Sequence, residues 1–304
     1  MKGIDIMVFG CHGKVGSILI QLSPVKFNII GVGQDSEPLI KNADYEYIQV
    51  DITKKKPTKE VIVRYKPRFI INSAALANVD QCEVEREKCW RVNVEGTENL
   101  VAGAKAVGSR FIHLSTDFIF DGTSERYKED DRANPVNYYG KSKLAGETVV
   151  MASGLEYAII RTASLLHPLS LKGNSNFALR ILEKLNARES CPVPVDELRS
   201  PTYIPNLVRG IWKLIQLDRS GVYHMAGREA ITRYDFGVRL AHTFNVSPDF
   251  IKPVPGESLN LKAKRPLRTA LIVDKAQSEL CFEFYDIAQC LAAFQKDLSS
   301  GVVS

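Results

Sequence analysis

The sequence of 304 residues has no long apolar run, no closely spaced pair of cysteines and no large excess of one charge. A transmembrane helix needs roughly 18 or more consecutive apolar residues, and a signal peptide needs a longer apolar core than MKGIDIMVFG provides. None of the six cysteines has CxxC spacing, so free thiols are expected rather than a zinc site or a thioredoxin-like centre. These absences predict a cytoplasmic protein with no membrane segment and no metal site.

The charge balance and the missing catalytic motifs exclude further classes. Lys and Arg number 40 and Asp and Glu number 35, and the net charge of +5 is too small to indicate binding to nucleic acid. Hydrophobic residues make up 45% of the chain and charged residues 25%, which excludes a disordered protein. The sequence contains no GxSxG elbow, HExxH motif or GxxxxGK[ST] loop, which argues against a hydrolase, a zinc protease and a P-loop protein.

Short β-branched segments alternate with longer amphipathic segments over the first half of the chain. The strand candidates are IDIMVFG, FNIIGVG, YEYIQVD, RFIINSA, RFIHLST and EYAIIRTA. This alternation predicts an α/β fold with a doubly wound parallel sheet of the Rossmann type, in which ligands bind beyond the carboxyl ends of the strands. The alternation ends near Arg161. We therefore expect a dinucleotide-binding domain over residues 1–162 and a smaller α+β substrate lobe over residues 163–304, with segments of the second part returning to the first.

A glycine-rich turn follows the first predicted strand. In GCHGKVG, residues 10–16, a glycine recurs at every third position as the strand passes into a helix. Gly10 allows a tight turn, Gly13 lets backbone N–H groups approach a pyrophosphate, and Gly16 permits close helix packing. A purely structural turn is the alternative, but the strand–turn–helix context favours a dinucleotide. The turn residues expected to bind the cofactor are Gly10, His12, Gly13, Lys14, Val15 and Gly16.

The end of the second predicted strand bears on the choice of cofactor. Asp35 lies 19 residues after Gly16, about where a carboxylate binds the adenine ribose hydroxyls of NAD. Two residues separate Asp35 from the strand, however, and Lys14 is available to a 2′-phosphate, so NADH and NADPH are both compatible with the sequence. At the end of the third strand, Asp51 and Ile52 are further candidates for the cofactor site. Asp51 either accepts a hydrogen bond from the adenine amino group or caps the following segment.

A tyrosine and a lysine lie four residues apart on a predicted helix. Because of this spacing, Tyr139 and Lys143 share one face. An ammonium beside a phenol stabilises the phenolate, so the pKa of Tyr139 is expected to fall from about 10 toward neutrality. Thr116 ends the strand RFIHLST, where its hydroxyl can bind a substrate carbonyl oxygen, although capping by Thr116 or Asp117 is an alternative. The five histidines are scattered without metal-binding spacing and are expected to be structural rather than catalytic.

Taken together, these motifs resemble the extended short-chain dehydrogenase/reductase superfamily, and within it the dTDP-4-dehydrorhamnose reductase family. The resemblance spans almost the whole chain, and the motifs occur in the family's order and spacing. They are GCHGKVG, NSAA at 72–75, VDQCE at 79–83, VNVEGT at 92–97, STDFIFDG, YYGKSKLAGE, RT at 161–162 and SPT at 200–202.

The resemblance implies that NADH or NADPH reduces a 4-keto-6-deoxy nucleotide sugar. It implies a catalytic set of Thr116, Tyr139 and Lys143. The further cofactor contacts that it implies are Asn72, Ala74, Ala75 and Asn93, together with Tyr139 and Lys143. The implied substrate-binding residues are Asp117, Phe118, Asn176, Phe177 and Arg265. The expected partner is a nucleotide-sugar substrate, without nucleic acid or membrane, and a homodimer is an open expectation.

The sequence also departs from the family's pattern. Ser164 stands where the family usually has a tryptophan that packs on the sugar, Leu76 replaces an aromatic residue, and Arg199 replaces a glycine. These departures leave two alternatives open. One is a nucleotide-sugar epimerase or dehydratase with tightly bound NAD. The other is a non-catalytic, cofactor-bound regulatory subunit like the beta subunit of methionine adenosyltransferase.

Overall fold

The structure, a computed structural model, describes residues 6–40, 43–167 and 176–300. Its strands are β1 (Ile6–Phe9), β2 (Ile29–Gly33), β3 (Glu46–Gln49), β4 (Phe69–Asn72), β5 (Arg110–Thr116), β6 (Arg126–Tyr127), β7 (Tyr157–Thr162), β8 (Leu165–Leu166), β9 (Cys191–Pro194), β10 (Leu198–Arg199), β11 (Thr202–Tyr203), β12 (Gly221–His224), β13 (Ile231–Thr232), β14 (Ile251–Val254) and β15 (Ala270–Leu271). Its helices are α1 (Lys14–Gln21), α2 (Lys55–Tyr65), α3 (Val79–Val84), α4 (Arg86–Trp90), α5 (Gly96–Val107), α6 (Tyr138–Met151), α7 (Phe177–Asn186), α8 (Ile204–Gln216), α9 (Arg233–Thr243), α10 (Asp274–Leu280) and α11 (Ile287–Ser299).

Within these residues, seven strands form a parallel sheet in the order β12-β7-β5-β4-β1-β2-β3. The chain builds outward from β1 to β3 on one side and then from β4 to β12 on the other, so the strand order reverses between β1 and β4. In doubly wound sheets the ligand crevice opens at this reversal. The Rossmann-type α/β fold expected from the alternating segments is confirmed.

The inner strands of the sheet are buried on both faces, which explains their continuous apolar runs, whereas the edge strand β3 is partly exposed. Successive side chains of β1 enter different cores: Met7 packs in the core that includes residues of α2 and α5, and Val8 packs in the core that includes residues of α1 and α8. This alternation is the period of two that a strand imposes on its side chains. Helix α2 packs against α5, and α1 packs against α8, on the two sides of the sheet.

A smaller group of elements beyond β7 has its own apolar core. Helices α7, α9 and α11 pack together, and Leu182, Phe236 and Phe294 are buried between them. Two short strand pairs, β9 with β14 and β10 with β13, accompany these helices. By contrast, β12 pairs with β7 in the main sheet, and Leu207 of α8 lies in the main core. The division of the chain at residue 162 stays a prediction.

None of the helices in the described ranges is long and apolar enough to cross a membrane.

Candidate active site

The glycine turn lies between β1 and the first turn of α1. Gly10 has a φ of 77°, in the left-handed region that favours glycine, and a Cβ on it would lie 2.6 Å from the Ala74 nitrogen. A Cβ on Gly16 would collide with the carbonyl oxygen of Gly10. Gly13 precedes α1 and is exposed, and the nearest atom to a Cβ there would be the Gly10 oxygen at 3.1 Å. The turn therefore leaves open space over the N-terminus of α1, where the backbone amides attract an anion.

The three other turn residues expected to bind the cofactor have different surroundings. His12 contacts Asp35, with Nδ1 2.7 Å from Oδ2. Val15 is buried in the main core, so it holds α1 against the sheet. Burial lowers the pKa of Lys14, and the positive charge of Arg180 on α7 lowers it further. The ammonium of Lys14 therefore lies close to the positive charge of Arg180 in the smaller lobe.

The end of β3 shows which role Asp51 has in the structure. The Oδ1 atom of Asp51 accepts hydrogen bonds from the nitrogen and hydroxyl of Thr53, at 2.9 and 2.8 Å, and from Gln34 Nε2 at 3.1 Å. Helix α2 is preceded by Lys54 as its cap, so Asp51 shapes the turn before the helix without capping it. Ile52 is buried and packs under Gly96. Contacts of Asp51 and Ile52 with adenine stay predictions.

The loop after β4 is fixed by two buried asparagines. Asn72 donates from Nδ2 to Thr97 Oγ1 at 3.2 Å and accepts from the Ala74 nitrogen at 3.2 Å, which shapes the Ala74–Ala75 segment. Asn93 accepts from the Leu76 nitrogen at 2.8 Å and donates to Ser142 Oγ on α6 at 2.9 Å. Asn93 lies in a π-helical turn over residues 91–95, a distortion that is frequent at functional sites. It joins the β4 loop to the helix that carries Tyr139 and Lys143.

The three expected catalytic residues converge at the carboxyl edge of the sheet. Thr116 is the last residue of β5, and Tyr139 and Lys143 lie on one face of α6. The hydroxyl of Thr116 lies close enough to Tyr139 to lower the pKa of its phenol. Lys143 is buried, its Nζ donates to the Leu114 oxygen at 2.6 Å, and it lies 3.4 Å from His113 Nε2. The structure thus places a proton donor and a hydrogen-bonding hydroxyl side by side, with a cation anchored behind them.

The electrostatics of Tyr139 differ from the sequence-based expectation. Burial raises the pKa of Tyr139, and the nearby hydroxyl of Thr116 opposes this shift only in part. The expected lowering of the Tyr139 pKa is therefore wrong for this structure, because Lys143 is directed at a backbone carbonyl and the phenol is desolvated. A phenol with a raised pKa stays protonated at neutral pH, which suits a group that gives up a proton.

Dinucleotide affinity is expected to weaken as the pH rises through about 8. Burial lowers the pKa of Lys143 to about 8, while the charge of Glu147 opposes this shift. Above that pH the site loses the ammonium that we expect to bind the nicotinamide ribose. Titration of the reduced dinucleotide on both sides of this pH checks the expectation, with Lys141→Met on the exposed side of the helix as the control. An unchanged pH dependence in Lys143→Met would contradict it.

The same shift predicts the effect of pH on stability. Because the pKa of Lys143 in the folded state, about 8, lies below the usual lysine value of 10.5, the folded chain holds fewer protons than the unfolded chain between these values. The contribution of Lys143 to the free energy of unfolding therefore increases as the pH rises through this window.

The sequence analysis did not assign His113 or Gly140 a role near the expected catalytic residues. His113, expected to be structural, is fully buried between Lys143 and Asn72, and its Nδ1 lies 3.2 Å from Asn72 Nδ2. Burial holds the pKa of His113 well below its usual value, so the ring is neutral and positions its neighbours without adding charge. Gly140 follows Tyr139, and a Cβ there would collide with the backbone oxygen of Phe118. Its missing side chain lets α6 approach β5.

Gly140→Ala is expected to lower kcat about a hundredfold, because a shift of about 1 Å between reacting groups can have an effect of this size. The added methyl group would also lie 2.9 Å from Pro135 Cβ, so α6 has to move away and takes Tyr139 from Thr116. Steady-state kinetics checks the result, and Lys141→Ala, at the exposed next position of the helix, is the control. Wild-type kcat in a folded Gly140→Ala protein would contradict this account.

Asp117 and Phe118 follow directly on Thr116. Asp117 is buried, accepts hydrogen bonds from Thr116 Oγ1 at 3.1 Å and from the hydroxyl of Thr269, and burial raises its pKa. The ring of Phe118 meets Tyr139 edge-on, with centroids 6.1 Å apart. Both residues therefore line the edge of the site, and their contact with substrate stays a prediction.

The other expected substrate residues already have partners in the structure. Arg265 forms an ion pair with Asp80, at 2.7 Å from Nη2 and 3.2 Å from Nη1. Asn176 caps α7 by accepting from the Leu179 nitrogen at 3.0 Å. Phe177 packs under the guanidinium of Arg233, 3.9 Å from its ring centroid. Their roles toward a substrate stay predictions, and Arg265 would have to exchange Asp80 for it.

The structure also shows where the residues that depart from the family's pattern lie. Ser164 is exposed with a φ of 43°, in the left-handed region where bulky side chains are strained. Leu76 is half-buried beside Asn93. Arg199 is buried, pairs with Glu197 at 3.1 Å and donates to three backbone carbonyls. It therefore braces the loops at the edge of the smaller lobe.

An unpartnered hydroxyl at the strand ends supports a ligand at this edge. In the part of the chain that the structure describes, Ser115 Oγ and Thr162 Oγ1 are buried and have no hydrogen-bond partner. Thr162 on β7 pairs in register with Thr116 on β5, so these two side chains share one face of the sheet, whereas Ser115 lies on the opposite face. Buried polar atoms normally have partners, so the Thr162 hydroxyl, with the open space at Gly13, fits a polar ligand at this edge.

The sheet, the glycine turn and the convergence of Thr116, Tyr139 and Lys143 define an NAD(P)-dependent oxidoreductase of the extended short-chain dehydrogenase/reductase type. Its cofactor is NAD(P)H. The chain belongs to the family described as RmlD substrate binding domain, which matches residues 4–300.

Curated relatives span the length of the chain. It is 29% identical to dTDP-4-dehydrorhamnose reductase of Aggregatibacter actinomycetemcomitans, over 90% of this chain and 92% of that protein. It is 26% identical to methionine adenosyltransferase 2 subunit beta of Bos taurus, over 88% of this chain and 79% of that protein.

Solved structures show the same fold. A hypothetical dTDP-4-dehydrorhamnose reductase from Sulfolobus tokodaii superposes with a TM-score of 0.84 at 31% identity, covering 94% of this chain and 99% of that one. The dTDP-4-dehydrorhamnose reductase of Bacillus anthracis, solved in complex with NADP, has a TM-score of 0.84 at 26% identity, covering 97% of this chain and 99% of that one.

Proposed function

We propose that this protein reduces a 4-keto-6-deoxy nucleotide sugar, dTDP-4-dehydrorhamnose or a relative, with NAD(P)H. The observation that carries the proposal is the convergence of Thr116, Tyr139 and Lys143 at the carboxyl edge of the sheet, next to the dinucleotide turn. The names of the Aggregatibacter and Bacillus relatives support this class of substrate.

Each residue of the set has a distinct task in this reaction. Bound NAD(P)H supplies a hydride from nicotinamide C4 to the sugar carbonyl carbon. Tyr139 Oη donates its proton to the carbonyl oxygen, and Thr116 Oγ1 donates a hydrogen bond to the same oxygen as negative charge develops on it. Lys143 donates to the nicotinamide ribose hydroxyls and holds the ribose in place next to Tyr139. The return of a proton to Tyr139 from solvent completes the cycle.

The hydroxyl of Thr116 has to change its partner for this role. In the structure it accepts from the Phe118 nitrogen at 3.2 Å and donates to Asp117 Oδ1 at 3.1 Å. A carbonyl oxygen can receive the same proton if the hydroxyl rotates, because Phe118 keeps the oxygen atom in position. Asp117 retains its bond from Thr269 after that rotation.

We expect cations to bind the diphosphate of the substrate where the smaller core adjoins the main core. Arg180 of α7 lies close enough to Lys14 to lower its pKa, and Arg233 lies close enough to Arg180 for the two charges to interact. Arg233 forms an ion pair with Glu197 at 3.1 Å, and Glu197 also pairs with Arg199, whereas Arg265 pairs with Asp80. We therefore assign the diphosphate to the side of Arg180 and Arg233 in preference to Arg265.

The test is turnover of dTDP-4-dehydrorhamnose by the purified chain with each reduced cofactor, followed at the nicotinamide absorbance. Oxidation of the cofactor that depends on the sugar supports the proposal. Nucleotide 4-keto sugars with other bases or ring substituents then define the substrate. No oxidation with any of these sugars, in a protein that binds the cofactor, would contradict it.

A second candidate is a cofactor-bound regulatory subunit. It is favoured by the similarity to the beta subunit of methionine adenosyltransferase 2 and by the exposed Ser164 at the position of the family's sugar-packing tryptophan. The isolated chain would then show no sugar-dependent oxidation and would copurify with an enzyme in a fixed stoichiometry. The two candidates differ in both measurements.

A further inference from the structure

Two buried thiols lie on helices that pack against α6, the helix of Tyr139 and Lys143. Cys82 is on α3 and Cys89 is on α4, and neither is exposed to solvent. Each thiol lies close enough to the other to shift its pKa. The proposed reduction uses neither of them, so the pair is available for separate chemistry.

One asparagine side chain connects the surroundings of the two thiols. Asn93 Nδ2 lies 3.4 Å from Cys89 Sγ and 3.2 Å from the Leu76 oxygen. The thiol of Cys82 donates to the same Leu76 oxygen at 3.2 Å. Both sulfur atoms therefore belong to one cluster of polar contacts, which also contains the loop after β4.

The thiol of Cys89 is also connected to the backbone of Tyr139. It donates to Ser142 Oγ at 3.3 Å, and Ser142 Oγ donates to the Tyr139 backbone oxygen at 2.7 Å. Cys89 and Lys143 lie close enough for each to shift the pKa of the other. A chemical change at the Cys89 sulfur therefore alters both the packing and the charge next to the expected catalytic residues.

The surroundings of the two thiols make Cys89 the more reactive one. Contact with Cys82 has the largest effect and lowers the pKa of Cys89. The Ser142 hydroxyl, the Lys143 charge and the Asn93 amide lower it further, while burial opposes them. The pKa of Cys82 is raised by Cys89 and by burial. Because the thiolate is the form that attacks an oxidant, Cys89 is the expected nucleophile.

The local architecture suits a small oxidant. Helices α3 and α4 have only six and five residues, and Val84 between the two thiols is 62% exposed. Short surface elements open locally at a lower free energy than global unfolding. Hydrogen peroxide is small enough to enter through such an opening.

We propose that a peroxide joins Cys82 and Cys89 in a reversible disulfide and that this bond lowers the activity of the enzyme. The Cys89 thiolate attacks a peroxide oxygen, so an S–O bond forms, the O–O bond breaks and the leaving hydroxide takes up a proton to become water. Cys82 then loses its proton and attacks the sulfenic sulfur of Cys89, so the S–S bond forms, the S–O bond breaks and a second water leaves. Two thiols lose two electrons, which reduce one peroxide to two water molecules.

The disulfide disturbs the contacts of α6 in two ways. Ser142 loses the hydrogen bond from Cys89, and the charge of Cys89 near Lys143 disappears. An S–S bond of about 2.05 Å is also shorter than a contact between separate thiols, so α3 and α4 have to move together. Since a shift of about 1 Å between reacting groups can have a hundredfold effect, we expect turnover to fall roughly tenfold or more.

Peptide mapping tests the disulfide without any sugar, so this test does not depend on the proposed function. Trypsin separates the two thiols, with Cys82 in the peptide 69–86 and Cys89 in the peptide 89–91. After treatment of the native protein with hydrogen peroxide and blocking of the remaining thiols, these peptides should be recovered linked, and a thiol reductant should separate them. Recovery of both peptides as blocked thiols, at a peroxide concentration that oxidises the exposed Cys281, would overturn the proposal.

Serine variants separate the two steps of the oxidation. Cys82→Ser should stop at the sulfenic acid of Cys89, which dimedone traps, and Cys89→Ser should give no linked peptides. Each serine hydroxyl can keep the hydrogen bond that the thiol donates, so both variants are expected to fold. Cys281→Ser removes an exposed thiol and is the matched control, with the disulfide of wild type. No dimedone adduct on Cys89 in Cys82→Ser would overturn its role as the nucleophile.

Turnover of a 4-keto nucleotide sugar tests the effect on activity, and this readout alone rests on the proposed function. Peroxide should lower turnover by wild type roughly tenfold or more, and dithiothreitol should restore it, whereas Cys89→Ser should be unaffected. Full turnover by completely linked wild type, or an equal loss in Cys89→Ser, would overturn the inference. A reduced protein without turnover contradicts the proposed function alone. The dissociation constant of the reduced dinucleotide then replaces turnover, and it should rise several-fold on linkage and stay unchanged in Cys89→Ser.

Discussion

Tyr139→Phe is expected to lower kcat by about 10²-fold to 10⁴-fold, the range for loss of a general acid, with little change in dinucleotide affinity. Phenylalanine keeps the edge-on contact with Phe118 but lacks the hydroxyl that lies near Thr116. The measurements are kcat with a 4-keto nucleotide sugar and the dissociation constant of the reduced cofactor.

The neighbouring tyrosine provides the control for this experiment. Tyr138 lies on the same helix with its ring 5.3 Å from the Arg86 guanidinium, so Tyr138→Phe removes a hydroxyl outside the catalytic set. Its kcat should stay close to that of wild type. A Tyr139→Phe protein with a kcat within a few-fold of wild type would show that another group donates the proton.

Gly13→Val is expected to abolish measurable dinucleotide binding in a protein that still folds. The side chain would occupy the exposed space over the N-terminus of α1, between the backbone amides and the pyrophosphate. The nearest atom to its Cβ would be 3.1 Å away, and a non-polar residue before a helix in place of glycine costs only about 1 kcal/mol. Dinucleotide titration and a circular dichroism melt separate the two effects.

Gly16→Ala is the contrasting variant in the same turn. A Cβ on Gly16 would collide with the Gly10 carbonyl, so this substitution should reduce stability together with binding. Wild-type dinucleotide affinity in a folded Gly13→Val protein would mean that the turn has only a structural role.

The central sheet was predictable because most of its strands are marked by local sequence patterns. Parallel strands covered on both faces are short apolar runs, and six of them stand out in the sequence between glycines, prolines and charged helices. The seventh strand, Gly221–His224, has only four residues and lies at the sheet edge, far along the chain from its partner β7. No local pattern identified it, although segments of the second part of the chain were expected to return to the first.

The candidate site was predictable where spacing alone defines it. Glycines at every third position after a strand and a tyrosine four residues before a lysine are local patterns, and the structure places both at the carboxyl edge. Contacts between distant residues were not predictable in this way. Arg265 and Asp80 are 185 positions apart, and nothing near either residue shows that they pair.

The expected pKa of Tyr139 was wrong for a related reason. Helical spacing shows that Tyr139 and Lys143 share a face, but not how deeply the phenol is buried or where the ammonium points. The Leu114 carbonyl that binds Lys143 and the neutral ring of His113 both come from β5. Their influence depends on the packing of a strand against a helix, which the sequence pattern does not specify.

Several family motifs are structural rather than chemical. Glu147, at the end of YYGKSKLAGE, is fully buried and binds Arg161 through its carboxylate, with Arg161 Nη2 2.8 Å from Oε2. Arg161 also donates to the Glu129 oxygen at 2.9 Å. This pair joins α6 to β7, and removal of one partner from a buried pair typically costs about 3 to 5 kcal/mol. The motif therefore holds α6, the helix of Tyr139 and Lys143, against the sheet.

Transfer of deuterium from a nicotinamide labelled at C4 tests the central claim most directly. The purified protein is incubated with the labelled cofactor and dTDP-4-dehydrorhamnose, and the sugar nucleotide is analysed by mass spectrometry and NMR. The account predicts one deuterium at the sugar C4 for each cofactor oxidised. In Tyr139→Phe the rate of labelling should fall by the same factor as kcat. An unlabelled sugar nucleotide recovered with intact labelled cofactor, from a protein shown to bind both, would contradict it.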